Sequence, residues 1–248
     1  MRRYLPGRSP AELFRKRIEK KLRGPVPPSP RTPAQQFLRD LPVLHQRKGV
    51  AAHTGGLNPT IGQVIIDQVE QFDRPAVVET GSGASTVLFL MLGCGQVTSI
   101  NPDPDIASRI EEDARARGLD TTPLRCIQGR SEIELPRLRD EGQRFDLGLI
   151  DGNHGWPAVF VDFCYINAML NEGGILFIDD IQLYSCDELV HLLDAQPEYE
   201  RVSLVGKLAT FRKRTPGAFL PDWVDQPHIV EHTHPRFRSK RGGPGGHG

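Results

Sequence analysis

The stretch Ala76–Thr86, AVVETGSGAST, decides the fold of this chain, because it joins a short apolar run to a pair of glycines and then to an apolar, helix-like segment. The pattern predicts a strand, a tight turn and the start of a helix. Gly81 and Gly83 permit backbone angles that a Cβ would forbid, so the main chain can approach a ligand where the helix points its free N–H groups. The turn is typical of a nucleotide-like cofactor site, although G-x-G also occurs as a purely structural corner.

Two later stretches end in acidic residues, FDLGLIDGNHG at 145–155 and GGILFIDD at 173–180. Each apolar run indicates a buried parallel strand. In an open α/β sheet, the ligand crevice lies outside the carboxyl ends of the strands. The residues expected to converge there, although they are far apart in sequence, are Gly81, Gly83, Asp151, His154, Asp179 and Asp180.

Strand and helix patterns alternate between residues 59 and 214. We predict strands at 76–80, 96–100, 124–128, 145–151, 174–179, 199–205 and 207–214, and helices at 59–72, 84–92, 104–117, 131–140, 157–171 and 186–195. Five β–α steps followed by two adjacent strands indicate an α/β fold. The expected architecture is a Rossmann-like, doubly wound, seven-stranded, mostly parallel sheet with an antiparallel last strand, in a domain of residues 34–215.

The composition is that of one globular domain with appendages. The chain has 248 residues, of which 38% are hydrophobic, enough for one sizeable core. Its four cysteines are far apart and form no C-x-x-C pair, so we expect reduced thiols in a cytoplasmic protein. No apolar run reaches about 18 residues, so no transmembrane segment is expected.

Both ends of the chain are predicted to be appendages. Residues 1–33 form a basic arm and a proline-rich linker, and the arm contains a potential helix with an apolar face of Leu13, Phe14, Ile18 and Leu22. Such a helix can contact an anionic membrane surface, dock on a partner or pack on its own domain. Residues 216–248 are rich in glycine, proline and basic residues without periodicity, and we expect a disordered tail.

The motifs E-x-G-x-G-x-S at 79–85, I-D-G-x-H at 150–154 and G-G-x-x-x-x-D-D at 173–180 resemble those of class I S-adenosylmethionine-dependent methyltransferases. The resemblance is to small-molecule O-methyltransferases of the methyltransferase family 24 type, and it covers residues 57–214. A dinucleotide-binding dehydrogenase would have a third small residue where this chain has Thr86. The resemblance implies S-adenosylmethionine as cofactor and a small-molecule hydroxyl, of a sugar or secondary metabolite, as methyl acceptor.

The same resemblance assigns eight residues to the cofactor: Glu79, Gly81, Ser82, Gly83, Ser85, Asn101, Ser131 and Asp151. Glu79 would brace the methionine end of the cofactor or, alternatively, the loop itself. Asn101 departs from the family, which usually places an acidic residue there to accept hydrogen bonds from the ribose hydroxyls. Either cofactor affinity is lower in this chain, or Asp103 substitutes. Ser131 lies where the family contacts adenine.

The acidic strand ends carry the expected chemistry. Asp151, Asp179 and Asp180 would repel one another unless a cation lies among them, and their oxygens suit Mg²⁺. Catechol-type O-methyltransferases bind Mg²⁺ at these positions, which makes the three aspartates candidate metal ligands; alternatively, they cap a helix and order a loop. His154 lies where those enzymes place a general-base lysine and can accept a hydroxyl proton, or it orients Asp151. His154 and Asp151 are the catalytic candidates.

Other functions stay open. Trp156 and Tyr184 flank the crevice in sequence and can contact an aromatic or sugar ring of an acceptor. A binding or regulatory module that keeps the fold without turnover is the main alternative, consistent with Asn101, and a dehydrogenase is the third. Nucleic acid is not expected as a substrate, because the basic residues cluster at the two ends and leave the middle of the chain acidic.

Overall fold

The structure, a computed structural model, describes residues 31–47, 50–52, 57–217 and 219–234. The helices are α1 (Pro33–Phe37), α2 (Pro59–Val69), α3 (Ala84–Met91), α4 (Ile106–Ala116), α5 (Ser131–Asp140), α6 (Ala158–Met169), α7 (Tyr184–Ala195) and α8 (Pro227–His232). The strands are β1 (His45–Arg47), β2 (Val50–Ala52), β3 (Ala76–Thr80), β4 (Gln96–Asn101), β5 (Leu124–Gln128), β6 (Phe145–Ile150), β7 (Leu170–Ile178), β8 (Tyr199–Val205) and β9 (Leu208–Lys213). The helix predicted in the basic arm lies outside the described residues.

Seven strands form one sheet in the order β5-β4-β3-β6-β7-β9-β8. Strands β3 to β7 run parallel to one another, whereas β9 is antiparallel to both of its neighbours, β7 and β8. The predicted doubly wound, mostly parallel sheet with an antiparallel last strand is confirmed. Strands β1 and β2, which the sequence patterns did not predict, form a separate antiparallel hairpin.

The apolar strands are buried on both faces of the sheet. On β7, Ile175 and Phe177 belong to the cluster that includes side chains of α2 and α3, whereas Leu176 and Ile178 belong to the cluster that includes side chains of α6 and α7. All four side chains are fully buried. Burial on both faces explains why the strand reads as a continuous apolar run instead of an alternating one.

The start of β7 differs from the prediction. Helix α6 ends at Met169 and the strand begins at Leu170, without the expected loop before residue 174. The pairing of β7 with β6 shifts register in this segment. A glycine is needed at position 174 of this irregular segment, because a Cβ there would lie 2.9 Å from the carbonyl oxygen of Asp146. The glycine pair therefore marks a bulge inside the strand, where the sequence suggested a turn before it.

The segment after the sheet also differs from the prediction of a disordered tail. Residues Trp223–Asp225 form a 3₁₀ turn, and α8 follows, with Pro227 in its first turn. The His228 ring lies against α7, with Nε2 3.9 Å from a carboxylate oxygen of Glu188 and its ring stacked on that of His191. Local proline chemistry and contacts with α7 order this part, while residues 235–248 lie outside the described residues.

Two further expectations concern the whole chain. Within the part of the chain that the structure describes, no helix is long and apolar enough to cross a membrane. The four cysteines are free thiols, two of them buried.

Candidate functional site

The carboxyl ends of β3, β6 and β7, which we call the crevice edge, lie side by side in the sheet. The backbone N–H of Asp151 donates to the carbonyl oxygen of Thr80 at 3.1 Å, and the N–H of Asp179 donates to that of Ile150 at 3.0 Å. These bonds extend the strand pairing by one residue beyond each strand end. The structure therefore brings the glycine turn and the acidic strand ends together, as the sequence predicts.

Gly81 is required by the geometry of the turn. Its φ is +85°, in the region that favours glycine, and a Cβ there would lie 2.3 Å from the carbonyl oxygen of Asp151. Gly83 behaves differently, because its φ of 172° is extended backbone that any residue adopts. The expectation that the turn needs backbone angles unfavourable for other residues is therefore confirmed for Gly81. It is wrong for the φ angle of Gly83. The N–H of Gly83 donates to Thr86 Oγ1 at 3.0 Å.

Glu79 lies beneath the turn and is fully buried. Its carboxylate accepts hydrogen bonds from Ser85 Oγ at 2.6 Å, from Ser99 Oγ at 2.8 Å and from Thr86 Oγ1. Burial raises the pKa of Glu79 to about 7, and the three hydroxyls oppose that shift. In this arrangement Glu79 braces the loop from inside, which was the alternative to a role at the methionine end of the cofactor.

The other polar residues assigned to the cofactor lie around the same turn. Ser82 and Ser85 are buried, and the hydroxyl oxygens of Ser82 and Ser99 lie 2.6 Å apart, within hydrogen-bond distance. At the end of β4, the side-chain oxygen of Asn101 accepts the N–H of Asp103 at 2.9 Å. The carboxylate of Asp103 is itself engaged by Arg109 at 3.2 Å. The Asp103 carboxylate is therefore already paired, which leaves less of it available to the ribose hydroxyls.

Ser131 begins α5 and is buried beside a residue that the sequence analysis missed. Asp162, on α6, is fully buried. Burial raises the pKa of the Asp162 carboxyl to about 6, and the hydroxyls of Ser131 and Thr80 act in the opposite direction. An acidic residue inside an apolar helical stretch, AVFVDFCYINAM, is the sequence signal that could have identified it.

Lys207 is the second residue that the sequence analysis missed, and it lies at the centre of the acidic cluster. Its ammonium lies 2.9 Å from Asp179 Oδ2 and 2.5 Å from Asp180 Oδ1. Only 11% of the Lys207 side chain and 4% of the Asp179 side chain are exposed. The turn between β8 and β9 therefore places a buried ammonium between two of the three aspartates.

His154 lies between two of the aspartates. Its Nε2 is 3.7 Å from Asp151 Oδ1, and its Nδ1 is 3.5 Å from Asp180 Oδ2. Ser185 Oγ donates to the backbone carbonyl of His154 and fixes the loop. Burial lowers the pKa of His154, opposed by the charges of Asp180 and Asp179. The Nε2 atom is buried and has no hydrogen-bond partner among the described residues.

The expected Mg²⁺ set of Asp151, Asp179 and Asp180 converges, but its geometry does not fit Mg²⁺. Two of the three carboxylates already bind the Lys207 ammonium. The side chains whose ligand atoms all lie within 4.8 Å of one another are Asp151, His154 and Asp180. Mg²⁺ prefers oxygen ligands in octahedral geometry, and that set contributes an imidazole nitrogen.

Burial of the cluster has a further effect on Asp151. Its pKa is raised well above the usual range, first by burial and then by the charge of Asp179, while Lys207 acts in the opposite direction. Because its carboxyl group is costly to ionise, Asp151 is better suited to hydrogen bonding than to carrying an isolated negative charge.

Trp156 and Tyr184 border this region, and 75% and 79% of their surfaces are exposed.

Comparison with known proteins concerns the central part of the chain. The family model described as "Methyltransferase domain" matches residues 78–181. A Mycobacterium sp. (strain JLS) protein named "Putative O-methyltransferase" is 30% identical over 120 residues, which are 47% of this chain and 54% of that protein. A protein of the same name from Mycobacteroides abscessus is 28% identical over 56% of this chain and 65% of its own length. The chain thus covers less than two thirds of either relative.

The fold also matches a solved structure. The SAH-bound Podospora anserina methyltransferase PaMTH1 superposes with a TM-score of 0.53 at 15% sequence identity, covering 87% of this chain and 100% of the other. At this identity the likeness concerns the fold alone. The matched family model and the relatives cover the central part of the chain, and this part is similar to class I S-adenosylmethionine-dependent methyltransferases of the O-methyltransferase type.

Proposed function

We propose that this protein transfers a methyl group from S-adenosylmethionine to a hydroxyl of a small molecule, with His154 as the proton acceptor. The observation that carries the proposal is the position of His154, whose Nε2 makes no hydrogen bond with the described residues although Asp151 Oδ1 lies 3.7 Å away. The ring lies at the crevice edge, between Asp151 and Asp180. Methyl transfer to a hydroxyl requires such a base close to the acceptor oxygen.

The residues around the glycine turn fit the cofactor. Gly81 to Ser85 would hold the methionine end, because the turn leads into the N-terminus of α3 and its free N–H groups. Asn101, at the end of β4, would hold the ribose hydroxyls, and Ser131 would lie against adenine. When bound, S-adenosylmethionine supplies an electrophilic methyl group on its sulfonium.

The protein's own contribution is alignment and proton removal. His154 must be neutral to accept a proton, and its lowered pKa keeps the imidazole neutral at neutral pH. Asp180 lies 3.5 Å from Nδ1 and would orient the ring and stabilise the imidazolium that forms. Nε2 is then the atom that receives the acceptor's proton.

A small acceptor is supported by the surroundings of the crevice edge. The exposed rings of Trp156 and Tyr184 can pack against an aromatic or sugar ring. The Trp156 ring lies edge-on to that of Phe160, at a centroid distance of 5.0 Å. The described contacts leave no excess positive charge beside Asp179 and Asp180, which disfavours the phosphate backbone of a nucleic acid.

The experiment separates cofactor binding from turnover. Calorimetry with S-adenosylhomocysteine, NAD and NADP should give binding for the first ligand only. Incubation with S-adenosylmethionine and a panel of phenols, catechols and sugars, followed by mass spectrometry, should then identify a methylated acceptor. Binding of NAD without S-adenosylhomocysteine would exclude the proposal in favour of a dehydrogenase.

The variant His154→Gln tests the base. It should bind S-adenosylhomocysteine as the wild type does but lose about 10²-fold or more in turnover, the usual scale for a general base. The matched control is His191→Gln, which changes an exposed histidine on α7 and should leave turnover intact. Unchanged turnover in His154→Gln would show that another group removes the proton.

A cofactor-binding module without turnover is the second candidate, and Asn101 favours it. Its side-chain oxygen is used by the N–H of Asp103, so less of it is available to the ribose hydroxyls. Binding of S-adenosylhomocysteine with no methylated product across the acceptor panel would support this candidate.

A further inference from the structure

The hairpin between β8 and β9 reaches the crevice edge, where both its backbone and the side chain of Lys207 make contacts with the residues that follow β7. Gly206, with a φ of +62°, makes the turn. The backbone carbonyl of Lys207 accepts the N–H of Ile181 at 3.1 Å, which ties the hairpin to the loop after β7. The pairing of β9 with β7 places Ala209 opposite Ile178, so Lys207 lies close to the end of β7.

The side chain of Lys207 is held by both acidic residues that follow β7. Its ammonium contacts one carboxylate oxygen of Asp179 and one of Asp180, at 2.9 Å and 2.5 Å. The remaining oxygen of Asp180 faces His154 Nδ1. Among these residues, Asp180 therefore connects Lys207 to the histidine, and each of its oxygens is already used.

From these contacts we propose that Lys207 is the resident cation of the crevice, occupying the position between Asp179 and Asp180 that a divalent metal would need. The inference rests on the proposed function and deepens it, because methyl transfer by this protein then requires no divalent metal. Lys207 is a positioning residue, since it acts on the histidine through Asp180. A metal ion that bound both aspartates would have to displace the ammonium or lie beside a like charge.

The charge state of Lys207 supports this role. Burial alone would lower the pKa of the ammonium, but the charges of Asp179 and Asp180 outweigh burial and raise it above its usual value. The lysine thus stays protonated at neutral pH. The buried ammonium offsets one of the two negative charges of its carboxylate partners without any further ion.

The test uses Mn²⁺ as the probe and the full-length protein. Free Mn²⁺ is followed by electron paramagnetic resonance during titration of the wild type, Lys207→Met and Lys207→Arg. We expect no saturable binding to the wild type or to Lys207→Arg, which keeps the cation. Lys207→Met should gain one saturable site, because Asp179 and Asp180 then lose their positive partner beside Asp151.

Several outcomes would overturn the inference. One is saturable Mn²⁺ binding to the wild type. This outcome can be measured even if the Lys207 variants do not fold. A second is the absence of binding to a folded Lys207→Met, because the ammonium would not then be what keeps the metal out. A third is loss of wild-type affinity for S-adenosylhomocysteine in EDTA. The Mn²⁺ titrations are made without cofactor, so a failure of the proposed function does not affect their result.

Discussion

The buried carboxylate of Glu79 should make the stability of this protein depend on pH in an unusual direction. Its pKa rises from 4.5 to about 7 in the folded protein, because burial disfavours the charged form. Between these values the native state holds a proton that the unfolded chain has released. Stability from this group is therefore fully present below about pH 4.5 and is lost as the pH rises through about 7.

The magnitude follows from the same two values. A difference of about 2.5 pH units at about 1.36 kcal/mol per unit corresponds to about 3 kcal/mol in the free energy of unfolding. An amide stays neutral throughout, so Glu79→Gln should not lose this contribution. The hydroxyls of Ser85, Thr86 and Ser99 can rotate to accept from or donate to the amide.

Urea denaturation of the wild type and Glu79→Gln, at intervals from about pH 5 to pH 8, measures the effect. The free energy of unfolding of the wild type, relative to that of the variant, should fall by about 3 kcal/mol across the range. Glu172→Gln changes an exposed glutamate and should follow the wild type. Parallel curves for wild type and Glu79→Gln, or a wild type that gains relative stability as the pH rises, would refute the reasoning.

Two further substitutions test the turn and the ribose site. Gly81→Ala should destabilise the protein by more than Gly93→Ala in urea denaturation, because both have positive φ but only the first would place a Cβ against Asp151; equal losses would contradict the contact. Backbone strain alone costs roughly 1–2 kcal/mol. Asn101→Asp should strengthen S-adenosylhomocysteine binding by about 1 kcal/mol in calorimetry, since a charged acceptor forms stronger hydrogen bonds with the ribose hydroxyls. Unchanged affinity would place the ribose elsewhere.

The sheet could be predicted from the sequence because its signals are local. Each parallel strand is a continuous apolar run bounded by glycine, proline or charged residues, and each helix follows within a few residues. The predicted start of β7 and the predicted absence of structure after the sheet were wrong, because contacts between distant residues determine both. The bulge at Gly174 depends on the crowded backbone of Asp146, and the short helix at Pro227–His232 depends on packing against α7.

The acidic side of the candidate site was also predictable, since strand order alone brings Asp151, Asp179 and Asp180 to one edge. The brace formed by Glu79 could not be distinguished from a cofactor contact, because the sequence does not reveal which way a strand residue at the end of β3 faces. Its three hydroxyl partners come from both α3 and β4. Only the packed structure places them around one carboxylate.

Lys207 marks the limit of reasoning from motifs. A lysine after a glycine in a hairpin turn is ordinarily a solvated residue, and nothing near it in sequence suggests a buried ion pair. Its significance arises because the antiparallel pairing of β9 with β7 returns the chain to the strand whose end carries Asp179 and Asp180. Three carboxylates in a sequence suggest a metal, but they establish only that positive charge is needed. Whether an ion or a side chain supplies that charge depends on the strand that closes the sheet, and in this protein the contacts assign it to Lys207.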